Sequence, residues 1–494
     1  MRSWTRSLPF LGDAPASRRV EPWTIAALLG GALAVALGVL LAPLLAAGMV
    51  VVMVLLAAGL GERTRLSRWF LVVLGVVLGG YALMGRGFAY LGAPPVFVGE
   101  LVLGLGGLAA VVSGRLSRTF RSPVAWAVAA YMAWGAFRTV PYLETHGVSA
   151  LRDAVLWGYA IFAVLTAAAL LRTGWMERTV SGYRRFLPWL LVLGPLGLVL
   201  SERATALLPS VPGSSVALVD VKPGDLAVHL AVAGAFLVLG LYGSDRSRSR
   251  GWLEWVWWAV WLGGFLLAAT QNRGGMVAAV GALGLILLLR PSFRWFRVLV
   301  PAFVLAATLV ALDVEVDLGG GREVSARQLV RNAASTVGLA GNEGLRSTVE
   351  WRKRWWGDIV EYTVFGPHFW TGKGYGVNLA SADGYQVTRD ESLRSPHNGH
   401  LTVLARSGVP GLLLWMALHG VFAASLLRAY GIARREGEEW WARVNLWILA
   451  GWAAFLINGT FDVFLEGPQG GIWLWSLVGF GIAAIEVQKR ERDR

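Results

Sequence analysis

The sequence predicts an all-α polytopic membrane protein of about 12–14 transmembrane helices, with one large, partly structured extracytoplasmic loop. Three observations predict it. Of the 494 residues, 55% are hydrophobic and only 15% charged, against the roughly 25% usual in soluble proteins. Apolar stretches of about 20 residues, the length that spans a bilayer core, recur from end to end. The arginines fall in short tracts between those stretches, and every second connection is basic. Such alternation follows the positive-inside rule and predicts that both termini are cytoplasmic.

Taken in order, the spans are expected near residues 23–41, 43–60, 69–85, 96–114, 123–139, 152–171, 187–202, 226–243, 252–270, 274–290, 297–312, 409–427, 442–459 and 471–487. The first two are parted only around Pro43, so they form either a tight hairpin or one broken element. Arg2, Arg6, Arg18 and Arg19 precede them without a cleavable signal pattern, and the first span is expected to be retained. No cysteine is present, so disulfide and thiolate chemistry are excluded. A formal net charge of +14 would suit nucleic acid. Its distribution makes it topological instead, and no nucleic-acid partner is expected.

Residues 1–312 thus read as an N-terminal bundle and 409–494 as C-terminal helices. The stretch 313–408 is polar and falls on the outer side. It holds eleven acidic and eleven basic residues and so carries no net field. A connection that long is usually functional or disordered. Its many aromatic residues argue for packing against the membrane face.

Candidate chemistry begins at Gln271-Asn272-Arg273-Gly274-Gly275. From Met276 to Leu289 there is only about 21 Å of helix, short of a core of about 30 Å. The helix must therefore start near Asn272, which puts Arg273 at headgroup depth. A guanidinium beside a glycine-rich helix start suits phosphate; the plainer alternative is snorkelling to lipid. Arg152 opens a helix in the same way, next to Asp153, and Arg138 ends another. In the loop stand Arg346, the run Trp351-Arg352-Lys353-Arg354-Trp355-Trp356, the glycine run Gly372-Lys373-Gly374-Tyr375-Gly376, and Pro396-His397-Asn398-Gly399-His400. The glycine run is no P-loop, since no strand precedes it and no Ser or Thr follows the Lys. His397 and His400 have a spacing that can hold a metal, but no third ligand lies nearby. Asp313, Glu315 and Asp317 form an acidic cluster that is either a cation site or, more plainly, a solvated loop start. No metal or cofactor is expected.

His397-Asn398, nine residues, then Gly408 and Gly411 resembles the histidine signature of the O-antigen ligase and polymerase superfamily. Arg346 and the glycine run are similar to that family's large periplasmic loop. Gln271–Gly275 resembles its Ser-Arg-Gly-type turn, with Asn for Ser. Phe461-Asp462 through Gly470 and Lys222-Pro223-Gly224-Asp225 also look like family turns. The matches cover roughly residues 220–480.

The resemblance implies a metal-independent membrane glycosyltransferase on the outer face of the bacterial inner membrane. It would pass a glycan from undecaprenyl pyrophosphate to an acceptor: the lipid A core for a ligase, another lipid-linked repeat for a polymerase. It implies Arg273 and Arg346 at the pyrophosphate and His397 at the acceptor hydroxyl. Arg152, Arg138, Asn398, His400 and Lys373 are expected as further substrate contacts. Two other classes fit the sequence less well. A lipid-glycan flippase or transporter would show mid-span charges and repeated halves. A metal-dependent oligosaccharyltransferase would want an acidic motif in an early outer loop, where only Glu144 and Asp153 stand.

Overall fold

The computed structural model describes residues 63–93, 96–172, 174–243, 251–290, 308, 315–317, 323–325 and 343–494. The expected spans 23–41, 43–60 and nearly all of 297–312, and with them Asp313, lie outside the described residues.

The helices in chain order are α1 (Arg63–Met84), α2 (Val98–Ser113), α3 (Pro123–Thr139), α4 (Val148–Gly158), α5 (Ile161–Leu170), α6 (Trp175–Arg203), α7 (Pro223–Val238), α8 (Gly251–Gln271), α9 (Arg273–Leu289), α10 (Glu343–Val360), α11 (Gly399–Arg435), α12 (Glu439–Gly459) and α13 (Pro468–Arg492). Two short antiparallel pairs accompany them, Gly92–Ala93 with Val96–Phe97 and Glu315–Asp317 with Glu323–Ser325. Among the described residues, α1, α6, α11, α12 and α13 are long and apolar enough to cross a membrane. The α4–α5 pair, bent by 44°, makes a sixth if counted as one span, and α2, α7 and α9 are shorter apolar helices. The protein is all-α and polytopic.

The core is centred on α7, which is buried from Gly224 to Val238. A helix apolar on every side belongs in the middle of a bundle, and α6, α8, α9 and α12 pack around it. Its carbonyls also take up tryptophan N–H groups: Trp261 donates to Leu230 at 2.7 Å and Trp447 to Val232 at 3.1 Å. Beside it α5 runs along α13, where Gly479 lies so close to Ala163 that a Cβ would come within 2.5 Å of its carbonyl oxygen. Small residues at such crossings let helices touch without a hydrophobic drive.

Three boundaries differ from expectation. The span 152–171 breaks at Tyr159-Ala160, where the Tyr159 hydroxyl donates to Glu100 at 2.7 Å. α6 begins at Trp175, a dozen residues before the expected span, and carries Pro188 and Pro195 inside it. The last part of the 313–408 stretch is helical: α11 starts at Gly399 and kinks at Gly408, with φ 70° and ψ −174°. There a Cβ would lie 2.4 Å from the Phe369 carbonyl oxygen, so only glycine fits. Pro410 follows and has no N–H to give. The carbonyls of Ala405 and Arg406, freed from the helix, accept instead from Lys373 N (2.7 Å) and Gly374 N (3.2 Å), while Val409 N donates to Phe369 O (2.8 Å).

Candidate active site

α9 starts as its length demands. Asn272 is its N-cap, with Oδ1 accepting from Gly275 N at 2.7 Å. This leaves Arg273 as the first helical residue. α7 starts beside it, since Gly224 packs on the Asn272 side chain and Lys222 stands at the α7 N-cap. Gly274 packs on Phe461, in the turn after α12.

α10 lies over this floor. Trp356 Nε1 donates to Pro396 O at 2.9 Å, fixing α10 against the segment that leads into α11. One turn earlier on the same face, Arg352 donates from Nη1 to Phe461 O at 3.2 Å, and its Nε is buried without a partner. Arg352 is within electrostatic reach of Arg273 and Asp462 on one side and of His397 on the other. His397 in turn faces Lys222 as well. Lys222, Arg273, Arg352, His397 and Asp462, from five separate segments, thus form one partly exposed cluster. The N-termini of α7 and α9 point their positive dipole ends at it.

Burial first, then the Arg352 cation, holds the His397 imidazole below its ordinary range, Asp462 opposing. Burial and Arg273 likewise lower the Arg352 guanidinium, again against Asp462. His397 adopts a left-handed backbone, φ 54°, a conformation that costs a non-glycine residue free energy and concentrates at functional sites.

A second cluster lies alongside. Asp153 on α4 accepts from Arg406 (2.8 Å), Arg394 (3.1 Å) and Gly376 N (2.9 Å). Arg406 also donates to Gly374 O and Val377 O, Arg394 to Gly376 O, and the Tyr375 and Ser407 hydroxyls bond at 2.7 Å. Gly372, Gly374 and Gly376 all have positive φ. A Cβ on them would strike Arg406, Tyr142 and His146 respectively. The glycine run therefore seats the loop on α11 and on the segment before α4.

The expected site residues divide accordingly. Arg273 and His397 share the open cluster. Arg346 lies on α10, but its side chain is outside the described residues. Asn398 caps α11, its Oδ1 accepting from His400 N and Leu401 N at 3.1 Å each. His400 has both nitrogens engaged. Nδ1 accepts from Trp415 Nε1 (2.9 Å), and since tryptophan only donates, Nε2 carries the proton to Leu456 O (3.2 Å). Lys373 pairs with Asp383 and sits 4.2 Å over the Tyr362 ring. Arg138 is buried and donates to Thr371 O at 3.0 Å, and Arg152 lies beside Arg394 and Arg406. Both His400 nitrogens, the Lys373 ammonium, Asn398 Oδ1 and Arg138 Nε thus have partners within the protein.

Arg352, Lys222 and Asp462 were not among the expected site residues. The signal for Lys222 and Asp462 was present in the two familiar turns. For Arg352 it was masked by the neighbouring basic residues Lys353 and Arg354, which face solvent.

Residues 258–416 match the family model described as O-antigen ligase. The match bears out the resemblance to that superfamily, and it takes in α9, the glycine run, His397 and the Gly408–Gly411 kink. Lys222 and Asp462 lie outside it. No curated protein matches the chain.

Proposed function

We propose that the chain, an O-antigen ligase-like glycosyltransferase by the match over 258–416, moves a glycan from undecaprenyl pyrophosphate to an acceptor hydroxyl at the open cluster. The observation that carries the reading is the convergence of Arg273, Arg352 and Lys222 with His397 beside two helix N-termini.

As the bond from the anomeric carbon to the pyrophosphate oxygen breaks, negative charge collects on the leaving group. Fixed cations and helix dipoles stabilise that charge without moving a proton. The acceptor oxygen forms the new bond to the same carbon and gives its proton to His397. Its lowered basicity keeps the imidazole neutral and able to accept near neutral pH. Arg273 and Arg352 grip the pyrophosphate bidentately, which lysine cannot copy; Lys222 adds a point charge. These cations supply the charge that a divalent ion would otherwise bring, so transfer should persist in excess EDTA. The alternation of basic tracts supports cytoplasmic termini and the site on the outer face, and the family match supports a bacterial inner-membrane location. The acceptor is either the lipid A core or another lipid-linked repeat.

The experiment pairs donor affinity with single-turnover transfer, using purified variants and a polyprenyl-pyrophosphate glycan. Arg273→Lys should weaken donor binding by about 10–150-fold, the worth of a charged hydrogen bond. His397→Ala should bind donor normally and transfer roughly 10²–10⁴-fold more slowly. Wild-type donor binding and transfer by Arg273→Lys would refute the pyrophosphate assignment.

A further inference from the structure

A second gathering of arginines stands at the far end of α13. Arg490 is 22 residues along that helix from Pro468, about 33 Å at 1.5 Å per residue, so it lies across the bundle from the transfer site. Its Nη1 donates to Leu171 O at 3.4 Å, at the end of α5 and next to Arg172. Arg115 and Arg118, in the turn between α2 and α3, complete the group: Arg115 is within electrostatic reach of Arg172, Arg118 and Arg490. Among the described residues none of the four pairs with a carboxylate. Arg115 Nη1 and Arg490 Nη2 are buried without a hydrogen-bond partner.

Arginines that only set topology snorkel separately into water. Four held together, with buried N–H groups unanswered, carry both mutual repulsion and the desolvation cost of orphan donors. A phosphate relieves both, because guanidinium forks match its oxygens. Next to Arg115 opens an apolar pocket of about 450 Å³ between α2, α3 and α5, lined by Gly107, Val111, Leu116, Phe120, Met132 and Leu165. Cations at the membrane face with an apolar slot beside them match the two ends of a lipid, and basic pockets between membrane helices bind anionic headgroups.

We propose that Arg115, Arg118, Arg172 and Arg490 hold the phosphate of an anionic phospholipid whose acyl chain enters the pocket between α2, α3 and α5. The site is separate from glycan transfer and occupies the opposite leaflet.

The test is lipid retention by the purified full chain in detergent, read by native mass spectrometry and by the melting temperature. Phosphatidylglycerol should be retained and should raise the melting temperature; phosphatidylcholine and inorganic phosphate should do neither. Arg115→Gln/Arg490→Gln should weaken retention about tenfold or more. Gly107→Leu leaves every arginine in place and fills the pocket. No atom lies within 4 Å of where its Cβ would stand, and leucine favours the helix, so this variant keeps the test open if the double variant fails to fold. It too should lose phosphatidylglycerol. Equal retention of phosphatidylcholine, a shift reproduced by phosphate alone, or wild-type retention by the variants that fold would each overturn the proposal.

Discussion

The cluster around Asp153 and the cluster around Arg273 both gather arginines where the large loop meets the helix ends, but they treat charge differently. Around Asp153 the carboxylate is nearly enclosed and answers two guanidinium groups and a backbone N–H. Around Arg273 the cations come from separate segments, the side chains stay partly exposed, and Arg352 keeps a buried N–H unanswered. The first arrangement holds its charge within the protein and anchors the loop, although Arg394 Nε too is buried without a partner. On the proposed reading the second receives the pyrophosphate. An arginine at a membrane helix end is therefore not itself a mark of function; its burial and the number of partners around it separate the two settings.

The contrast breaks most visibly at Asp153. Asp153→Ala leaves Arg394 and Arg406 buried without their shared partner, which should cost about 3–5 kcal/mol of stability. Thermal unfolding in detergent measures it, and a variant melting like wild type would mean the loop is anchored elsewhere. Arg352→Gln should do the reverse, leaving the melting temperature nearly unchanged while donor affinity falls about 10–150-fold. A destabilised variant with normal donor affinity would move Arg352 into the structural class. His400→Phe removes the partners of Trp415 and of the Leu456 carbonyl, and should cost about 1–3 kcal/mol. Single-turnover transfer by its folded fraction should stay at the wild-type rate; a stable but inactive variant would return His400 to the site.

The smallest expected effect is in pH. His397 is held below its ordinary value of about 6.5, so its neutral form is favoured in the folded state. Stability from this preference is present above pH 6.5 and lost as pH falls through the folded value. The transfer rate should likewise be flat above about pH 6.5 and fall only below it. A pH–rate profile checks this, and the acid limb should vanish in His397→Gln. A rate still climbing from pH 7 to 8 would point to a different proton acceptor.

How much of this was legible in the sequence depends on the reach of the forces involved. The long apolar helices α1, α6, α11, α12 and α13 were readable because bilayer thickness imposes a length on any spanning helix. The break at Tyr159 was not, since it coincides with a hydroxyl donating to Glu100, 59 positions away, inside an unbroken apolar run. Arg273 was legible because a helix of 17 residues had to begin at its door. His397 emerged through its motif, and the structure adds a strained backbone to it. His400 looked equivalent from spacing alone. Its role is decided by Trp415, one face of a helix later, and by Leu456 on another helix. Arg352 needed the placement of α10 to distinguish it from the two basic residues that follow it.

The kink at Gly408 also sets an order of events during synthesis. The loop backbone at Lys373 and Gly374 bonds to carbonyls of Ala405 and Arg406, and Phe369 takes the N–H of Val409. Those acceptors do not exist until the stretch through Pro410 has been translated and has bent. Residues 369–374 therefore leave the ribosome before their acceptors on α11 exist, whereas the Asn272 cap that starts α9 is by then already translated. His397 is likewise held by a helix start that forms only when α11 does. A nascent chain arrested before Val409 would carry the α9 start without the contacts that seat the glycine run, and be open to protease through that run. The last membrane passes thus serve as the latch that turns a set of inserted helices into a finished site.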